Sequence, residues 1–92
     1  MFAIAFDLVV AETRLHHPLG IAAAYRDIGR AIGNHGFERV QGSVYVCGNE
    51  NLANLFAALS SLKALPWFPK CVRDVRAFRV EQWSDFTDFM KT

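Results

Sequence analysis

MFAIAFDLVV, residues 1–10, is the stretch that decides the fold, because bulky and small residues alternate along it. Such alternation predicts a β-strand with two unlike faces. The bulky face is formed by Phe2, Ile4, Phe6, Leu8 and Val10. The opposite face has only small apolar residues and one carboxylate, that of Asp7. We therefore expect the bulky face to line a hydrophobic core and Asp7 to point away from it.

Asp7 is the residue of this strand that most needs an explanation, because a charge in the middle of a strand is costly unless it is paired or used. One interpretation is structural, with the carboxylate held by an arginine or by backbone N–H groups. The other is functional, with Asp7 as the acidic group of a site. The strand alone leaves both interpretations open.

Length and composition restrict the class of protein. The 92 residues form one domain with a modest core, and the 52% hydrophobic content exceeds what so small a domain needs for its interior. Part of that apolar surface is therefore expected to close a subunit interface. The net charge of +1 gives no global attraction to nucleic acid or membrane. With no membrane-spanning run or signal-peptide pattern, we expect a cytoplasmic protein with two reduced cysteines.

Further along the chain, the pattern predicts one helix and then a hairpin. Residues 11–18 are polar and are expected to form a loop. A stripe at helical spacing follows (Ile21, Tyr25, Ile28 and Ile32), and Gly36 is a suitable left-handed residue at which the helix ends. Residues 37–41 and 43–47 are strand-like, and Gln41-Gly42 between them indicates a hairpin turn or a sharply bent strand pair.

The second half of the chain predicts another helix and a last strand. The helix is capped by Asn49 or Asn51, continues through residues 52–62 and ends before Pro66. Residues 72–82 form the strand, and residues 83–90 a short Ser84-capped helix or an extended arm. The order β–α–β–β–α–β predicts an α+β, ferredoxin-like sandwich with both helices on one face of a four-stranded antiparallel sheet.

The second face of this sheet is where a site is expected. By strand parity it would contain Ala3, Ala5, Asp7, Ser43, Tyr45, Val75, Ala77 and Arg79. Because such a face is too apolar to remain wet, a symmetric homodimer is the natural cover. The twofold axis would then bring two copies of Asp7 together.

Several segments together resemble one family, the virulence-associated protein D (VapD) proteins. They are Phe6-Asp7-Leu8, Gly36-Phe37, Gln41-Gly42-Ser43-Val44-Tyr45, residues 72–78 and Ser84-Asp85-Phe86-Thr87. The resemblance covers essentially the whole chain. More distantly, Asp7 with Arg39-Val40-Gln41 and Ser43-Val44 is similar to the small nuclease of the CRISPR adaptation complex, which has the same fold.

The resemblance implies a dimeric ferredoxin-like endoribonuclease, in several members the toxin of a toxin–antitoxin pair that a small protein antitoxin neutralises. By position, Asp7 takes the place of the strand-end aspartate on which cleavage depends, and Ser43 lies in the second motif. In the CRISPR relative the aspartates pair across the dimer and can hold Mg²⁺. One carboxylate per chain provides few protein ligands for Mg²⁺, so no cofactor is assigned and Mg²⁺ remains an open alternative.

RNA cleavage needs a base and cations, because the RNA supplies its own 2′-OH nucleophile. Asp7 can act as the base or as a Mg²⁺ ligand. Guanidinium groups suit phosphate, so we expect Arg39, Arg73 and Arg79 to bind substrate. Ser43 and Tyr45 are candidate hydrogen-bond donors to phosphate, with Tyr45 also a candidate stacking ring, and hydrogen bonding across an interface is the alternative for both. Solvation and pairing with carboxylates would explain the arginines equally well. The alternative function is a non-catalytic dimeric module that binds a protein or ligand on its sheet.

Overall fold

The computed structural model describes residues 1–92 and contains one four-stranded antiparallel sheet in the order β2-β3-β1-β4. The strands are β1 (Phe2–Leu8), β2 (Glu38–Gln41), β3 (Val44–Cys47) and β4 (Val72–Arg79). The helices are α1 (Val10–His16), α2 (Gly20–Gly33), α3 (Leu52–Lys63), α4 (Phe68–Cys71) and α5 (Thr87–Lys91). In this order each helical crossover, β1–α2–β2 and β3–α3–β4, skips one strand. The predicted ferredoxin-like α+β fold is confirmed.

The core lies between the sheet and the helix pair α2 and α3. Phe2, Ile4, Phe6 and Leu8 point into it from the central strand β1, as their alternation predicts. Ile28 and Ile32 of α2 and Ala58 and Leu62 of α3 meet them from the other side. Because both helices cover this one face, the opposite face of the sheet, which carries Asp7, has no helical layer. We call the face that carries Asp7 the open face.

Helix α1 is a difference from the sequence-based expectation of a loop over residues 11–18. Its polar sequence gives little periodic signal, but the segment is held by packing. Thr13 is buried and its hydroxyl donates to the carbonyl of Val9, at 2.9 Å. The thiol of Cys71, in α4, lies 3.4 Å from the carbonyl of Glu12. Tertiary contacts commonly stabilise helices too short to form alone.

Two glycines make the turns that frame β2 and β3. Gly36 has φ +83° and Gly42 has φ +44°, both in the left-handed region that favours glycine. Helix α2 ends at Gly33, three residues before the expected end, and Gly36 turns the chain into Phe37. Gly42 makes the predicted hairpin turn between β2 and β3. Helix α3 is capped as predicted, because the Asn51 side chain accepts from the Ala53 N–H.

The predicted faces of β3 and β4 are wrong. Residues directly opposite on paired strands share a face, and Tyr45 pairs with Ile4 while Cys47 pairs with Phe2. Both side chains therefore face the core and not the open face. Both parities of β3 are apolar, so alternation cannot choose between them. On β4, pairing with β1 likewise turns Val75, Ala77 and Arg79 toward the helices.

The C-terminal segment leaves β4 and ends beside β2 at the other edge of the sheet. There Trp83, Phe86 and Met90 line a cavity of about 630 Å³ together with Val40 and Gln41. Helix α5 begins after Phe86, and Asp85 rather than Ser84 accepts the Thr87 N–H, at 2.9 Å. Hydrogen bonding from the Thr87 side chain, with the Thr87 backbone N–H adding to it, lowers the pKa of the Asp85 carboxyl. None of the helices is long and apolar enough to cross a membrane.

Candidate active site

Asp7 lies on the open face near the C-terminal end of β1. Its side chain is 56% exposed, and its Oδ2 lies 3.3 Å from Nη1 of Arg73 on the neighbouring strand. Arg73 is also largely exposed. A pair this open is screened by water and holds neither group firmly. The carboxylate of Asp7 is thus neutralised but remains accessible to a ligand.

A β-bulge on β4 places further charges beside Asp7. Asp7 pairs with Asp74 and Leu8 with Val72, so Arg73 is the extra residue of β4. Asp74 is directly opposite Asp7 on the open face, and Arg76, opposite Ala5, lies on the same face. The Asp74 carboxylate lies 3.7 Å from the Arg76 guanidinium. The bulge thus brings two acid–arginine pairs to one end of the open face.

Ser43 is at the same end of the sheet as Asp7 but on the helix side. Its carbonyl accepts the Phe6 N–H at 3.1 Å, which puts Ser43 opposite Phe6, the residue before Asp7. Its Oγ is 2.8 Å from the hydroxyl of Tyr25, on α2. The expectation that Ser43 shares the face of Asp7 is therefore wrong. A hydrogen bond to Tyr25 occupies the group that was predicted to act on substrate.

Arg39 and Tyr45 also lie on the helix side. The Arg39 Nε donates to the carbonyl of Gly42 at 2.7 Å, and its Cζ lies 5.2 Å from the ring centroid of Tyr25. Tyr45 is 3% exposed and its ring stacks on Phe6 at 5.9 Å. Burial raises the pKa of the Tyr45 hydroxyl. Tyr45 is thus a core residue, whereas the terminal nitrogens of Arg39 remain available.

Arg79 is at the opposite end of the sheet from Asp7. It is paired with Phe2, its guanidinium lies 5.1 Å from the Phe2 ring, and its Nη1 is 2.8 Å from Glu50. Glu50 also accepts from the N-terminal ammonium of Met1 at 2.7 Å, and this hydrogen bond, with Arg79 adding to it, lowers the pKa of Glu50. The structure therefore separates Arg79 from Asp7.

The two neighbouring histidines, His16 and His17, have different surroundings. His16 is partly exposed and lies 3.2 Å from Glu12, but His17 is buried. The His17 Nδ1 accepts the Leu19 N–H at 3.1 Å, and its Nε2 is 2.7 Å from Asp27. With its two nitrogens engaged, His17 fixes the start of α2. It does not belong to the group around Asp7.

The residues present would suit Mg²⁺ only in a minimal form. Mg²⁺ prefers oxygen ligands and is commonly held by one or two carboxylates, with water and substrate phosphates completing the octahedron. Asp7 and Asp74, opposite each other on the open face, are the residues that would hold it. No group of three or more His, Cys, Asp or Glu side chains is close enough to form a complete protein site.

Asp74 and Arg76 are the members of the group that the sequence did not indicate as site residues. The strand parity that puts Val75, Ala77 and Arg79 on the face of Asp7 puts Asp74 and Arg76 on the other face. That parity assumes a regular strand, and the bulge at Arg73 shifts it. Nothing in residues 72–79 marks that bulge, because neither glycine nor proline occurs there.

Fold and site together define a ferredoxin-like α+β domain with acid–arginine pairs at one end of its open sheet. The chain is 62% identical over 92 residues to an endoribonuclease VapD homolog of Neisseria gonorrhoeae, with both chains covered completely. It is 56% identical over 91 residues to the endoribonuclease VapD of Haemophilus influenzae, covering 99% of each chain. It is 43% identical over 94 residues to that of Helicobacter pylori, again over both full lengths. No family model matches the sequence.

Identity at this level over whole chains shows the family. The chain belongs to the VapD family of endoribonucleases, as its resemblance to VapD proteins predicted.

Proposed function

We propose that this protein is an endoribonuclease whose reacting groups lie at the Asp7 end of the open face. The observation that carries the proposal is the exposed carboxylate of Asp7, opposite Asp74 and beside Arg73, in a chain of the VapD family. An exposed acid beside guanidinium groups provides a proton acceptor and phosphate-binding cations in one place. These are the two functions that transesterification of RNA requires.

In the proposed reaction the Asp7 carboxylate takes the proton of a ribose 2′-OH while that oxygen attacks the adjacent phosphorus. The P–O5′ bond breaks, and the departing 5′-oxygen takes a proton from water at this exposed end of the sheet. The products are a 2′,3′-cyclic phosphate and a 5′-hydroxyl. Arg73 stabilises the charge that develops on the phosphate oxygens, because its guanidinium already lies 3.3 Å from Asp7.

Ser43 is proposed to position the site and not to react. Its Oγ is bonded to Tyr25 and it lies on the face opposite Asp7, whereas its backbone adjoins Phe6. Arg39 is proposed to contact substrate at the hairpin turn, from the terminal nitrogens that its bond to Gly42 leaves free. Arg79 and Tyr45 are not proposed as substrate contacts, because one is distant from Asp7 and the other is buried.

We also propose that the protein is a cytoplasmic homodimer and the toxin of a toxin–antitoxin pair neutralised by a small protein. Exposed apolar side chains support a subunit interface: Phe78 on the open face and Trp83, Phe86, Phe89 and Met90 in the C-terminal segment. A twofold axis over the open face would bring the Asp7 residues of two protomers together. Sedimentation at micromolar concentration tests this, and a monomer would contradict it.

The decisive experiment compares the wild type with Asp7→Asn on a labelled oligoribonucleotide, both purified identically so that a contaminating ribonuclease would appear in both. We expect cleavage to fall by about 10²–10⁴-fold in the variant. Glu81→Gln, which removes an exposed carboxylate beyond the far end of β4, is the matched control and should cut normally. Equal cutting by the wild type and Asp7→Asn would refute the assignment of Asp7.

Two further arms test the chemistry. A substrate with a single 2′-deoxy sugar at the cleaved position should resist the enzyme if the 2′-OH is the nucleophile. Cutting of that substrate would show that water attacks instead. Addition of EDTA separates metal-free catalysis by Asp7 from a reaction that needs Mg²⁺ at Asp7 and Asp74. Absence of cleavage by the wild type in all arms would favour a non-catalytic binding module.

A further inference from the structure

A groove lies between helix α2 and strands β2 and β3, and apart from Arg39 none of its residues has a role in the proposed reaction. Ala22, Tyr25, Arg26 and Gly29 line it from one face of α2, at the spacing i, i+3, i+4, i+7. Arg39, Tyr45 and Phe37 line its other side. The groove encloses about 580 Å³. Small residues at both ends of the α2 face leave space around Tyr25 and Arg26.

The groove has two guanidinium groups whose charge no carboxylate compensates. Neither Arg26 nor Arg39 has an acidic group within 4.0 Å, whereas Arg73, Arg76 and Arg79 on β4 each have one. In a chain of net charge +1, these two unpaired arginines concentrate positive charge in one concave place. Guanidinium groups in such a groove favour a phosphate-bearing ligand.

Arg39 is fixed in the groove by a hydrogen bond and an aromatic ring. Its Nε is fixed by the carbonyl of Gly42 at 2.7 Å, and the Tyr25 ring supports one face of the guanidinium, with Cζ at 5.2 Å. Phe6 lies behind Tyr25, with 6.1 Å between ring centroids. The second face of the guanidinium remains for a ligand. Unpaired bases of RNA stack on arginine planes in this way.

The groove adjoins the Asp7 end of the sheet. The hydroxyl of Tyr25 is 2.8 Å from Ser43, and the carbonyl of Ser43 accepts the N–H of Phe6, the residue before Asp7. A chain that passes around the Gly42 turn therefore meets the acid–arginine pairs on one face and the groove on the other. A single-stranded RNA is flexible enough to make that turn.

We propose that this groove binds one unpaired nucleotide of the RNA next to the cleaved bond. Its base stacks on Arg39, which Tyr25 supports, and its phosphate contacts Arg26. Arg39 then contributes to selection of the base, and Tyr25 acts as a positioning residue. The inference rests on the proposed RNA substrate but not on the role of Asp7.

The test is binding of a fluorescent 2′-O-methyl oligoribonucleotide, which cannot be cut by 2′-OH attack, measured by anisotropy at several salt concentrations. Arg26→Gln should weaken binding and reduce the salt slope by about 0.7, the value for one phosphate contact to a single strand. Arg39→Gln should weaken binding on the order of 10-fold, as loss of one stacking platform does. Arg30→Gln, one turn further along α2 and outside the groove, is the matched control.

A second variant fills the groove without removing charge. A Cβ on Gly29 meets no atom within 4 Å, so the side chain of Gly29→Leu enters the groove and not the protein. Gly33→Leu also meets open space, but outside the groove, and serves as its control. We expect Gly29→Leu to weaken binding about 10-fold and Gly33→Leu to have no effect. Thermal unfolding of all variants confirms that they fold.

Wild-type affinity in Arg26→Gln and Gly29→Leu, or no binding of the oligonucleotide by the wild type, would overturn the groove assignment. These outcomes differ from failure of the proposed function. If the groove variants bind normally while Asp7→Asn abolishes cutting, the nuclease assignment is supported and RNA binding in the groove is refuted. If the groove variants bind weakly while the wild type cuts no RNA, RNA binding in the groove is supported and the nuclease assignment is refuted.

Discussion

The hydrogen bond between Tyr25 and Ser43 gives a prediction that separates a structural serine from a catalytic one. The two oxygens are 2.8 Å apart and the bond is partly buried, joining α2 to the start of β3. Tyr25→Phe removes one partner and keeps the ring that supports Arg39. Ser43→Ala removes the other partner and leaves the backbone bond to Phe6 in place. The two variants therefore perturb the same bond from opposite ends.

The expected loss of stability follows from a single hydrogen bond. Its net contribution is about 0.5–1.5 kcal/mol, so each variant should lose about 1 kcal/mol. For a domain of this size, that lowers Tm by about 4–8 °C. Removing both partners leaves no unsatisfied group, so the double variant should lose no more than either single one. Thermal and urea unfolding of the four proteins then give a coupling energy of about 1 kcal/mol.

Cleavage rates measured on the same four proteins test the role of Ser43. If Ser43 acts through Tyr25, the two single variants and the double variant lose the same modest factor of activity. If the Ser43 hydroxyl reacts or contacts substrate, Ser43→Ala loses far more activity than Tyr25→Phe, although both are equally destabilised. Additive losses of stability, with no coupling, would refute the hydrogen bond itself.

Three other predictions concern the core, the turns and a buried tyrosine. Ile4→Ala removes a fully buried side chain and should cost about 2–5 kcal/mol in urea unfolding, whereas Phe56→Ala, at a 72% exposed position, should stay within about 0.5 kcal/mol. Gly36→Ala should lose about 1–2 kcal/mol, because φ is +83° and the new Cβ lies 3.2 Å from the Cys47 Sγ, whereas Gly29→Ala should gain up to about 1 kcal/mol. Burial raises the pKa of Tyr45 above its ordinary value of about 10, so its contribution to stability is complete below that pH and is lost as pH rises through the folded-state pKa. In Tyr25→Phe the remaining tyrosine should therefore ionise, by near-ultraviolet absorbance, only above that value, and a midpoint at or below about 10 would contradict its burial.

The order of elements could be predicted because each main element has its own periodic signal. Alternation in residues 2–8 identified the central strand, and the helical spacing of Ile28 and Ile32 identified a core-facing helix. Once two helices and four strands alternate in this order, the ferredoxin-like arrangement covers both apolar helix stripes with one sheet face. Asp7 was correctly placed on the uncovered face for the same reason.

The faces of the later strands could not be predicted, for two different physical reasons. Strand β3 is apolar on both sides, so alternation gives no preference, and aromatic stacking of Tyr45 on Phe6 decides its orientation. Strand β4 has a bulge at Arg73, and one extra residue reverses parity for everything after it. As a result, Ser43, Tyr45 and Arg79 lie on the helix side of the sheet and not on the open face. Asp74 and Arg76 lie on the open face instead.

The small net charge is consistent with an RNA substrate once the arginines are considered singly. Arg73 and Arg76 are neutralised by the carboxylates of the open face, so that face offers little long-range attraction. In the proposed complex Arg26 contacts one phosphate from the groove and Arg73 contacts another beside Asp7, which gives about two phosphate contacts per protomer. Two such contacts to a single strand give a slope of log K against log salt of about −1.4, far shallower than that of a dedicated nucleic-acid binder. A slope several times steeper would show that the RNA contacts more cations than these two, and it would contradict this placement of the RNA.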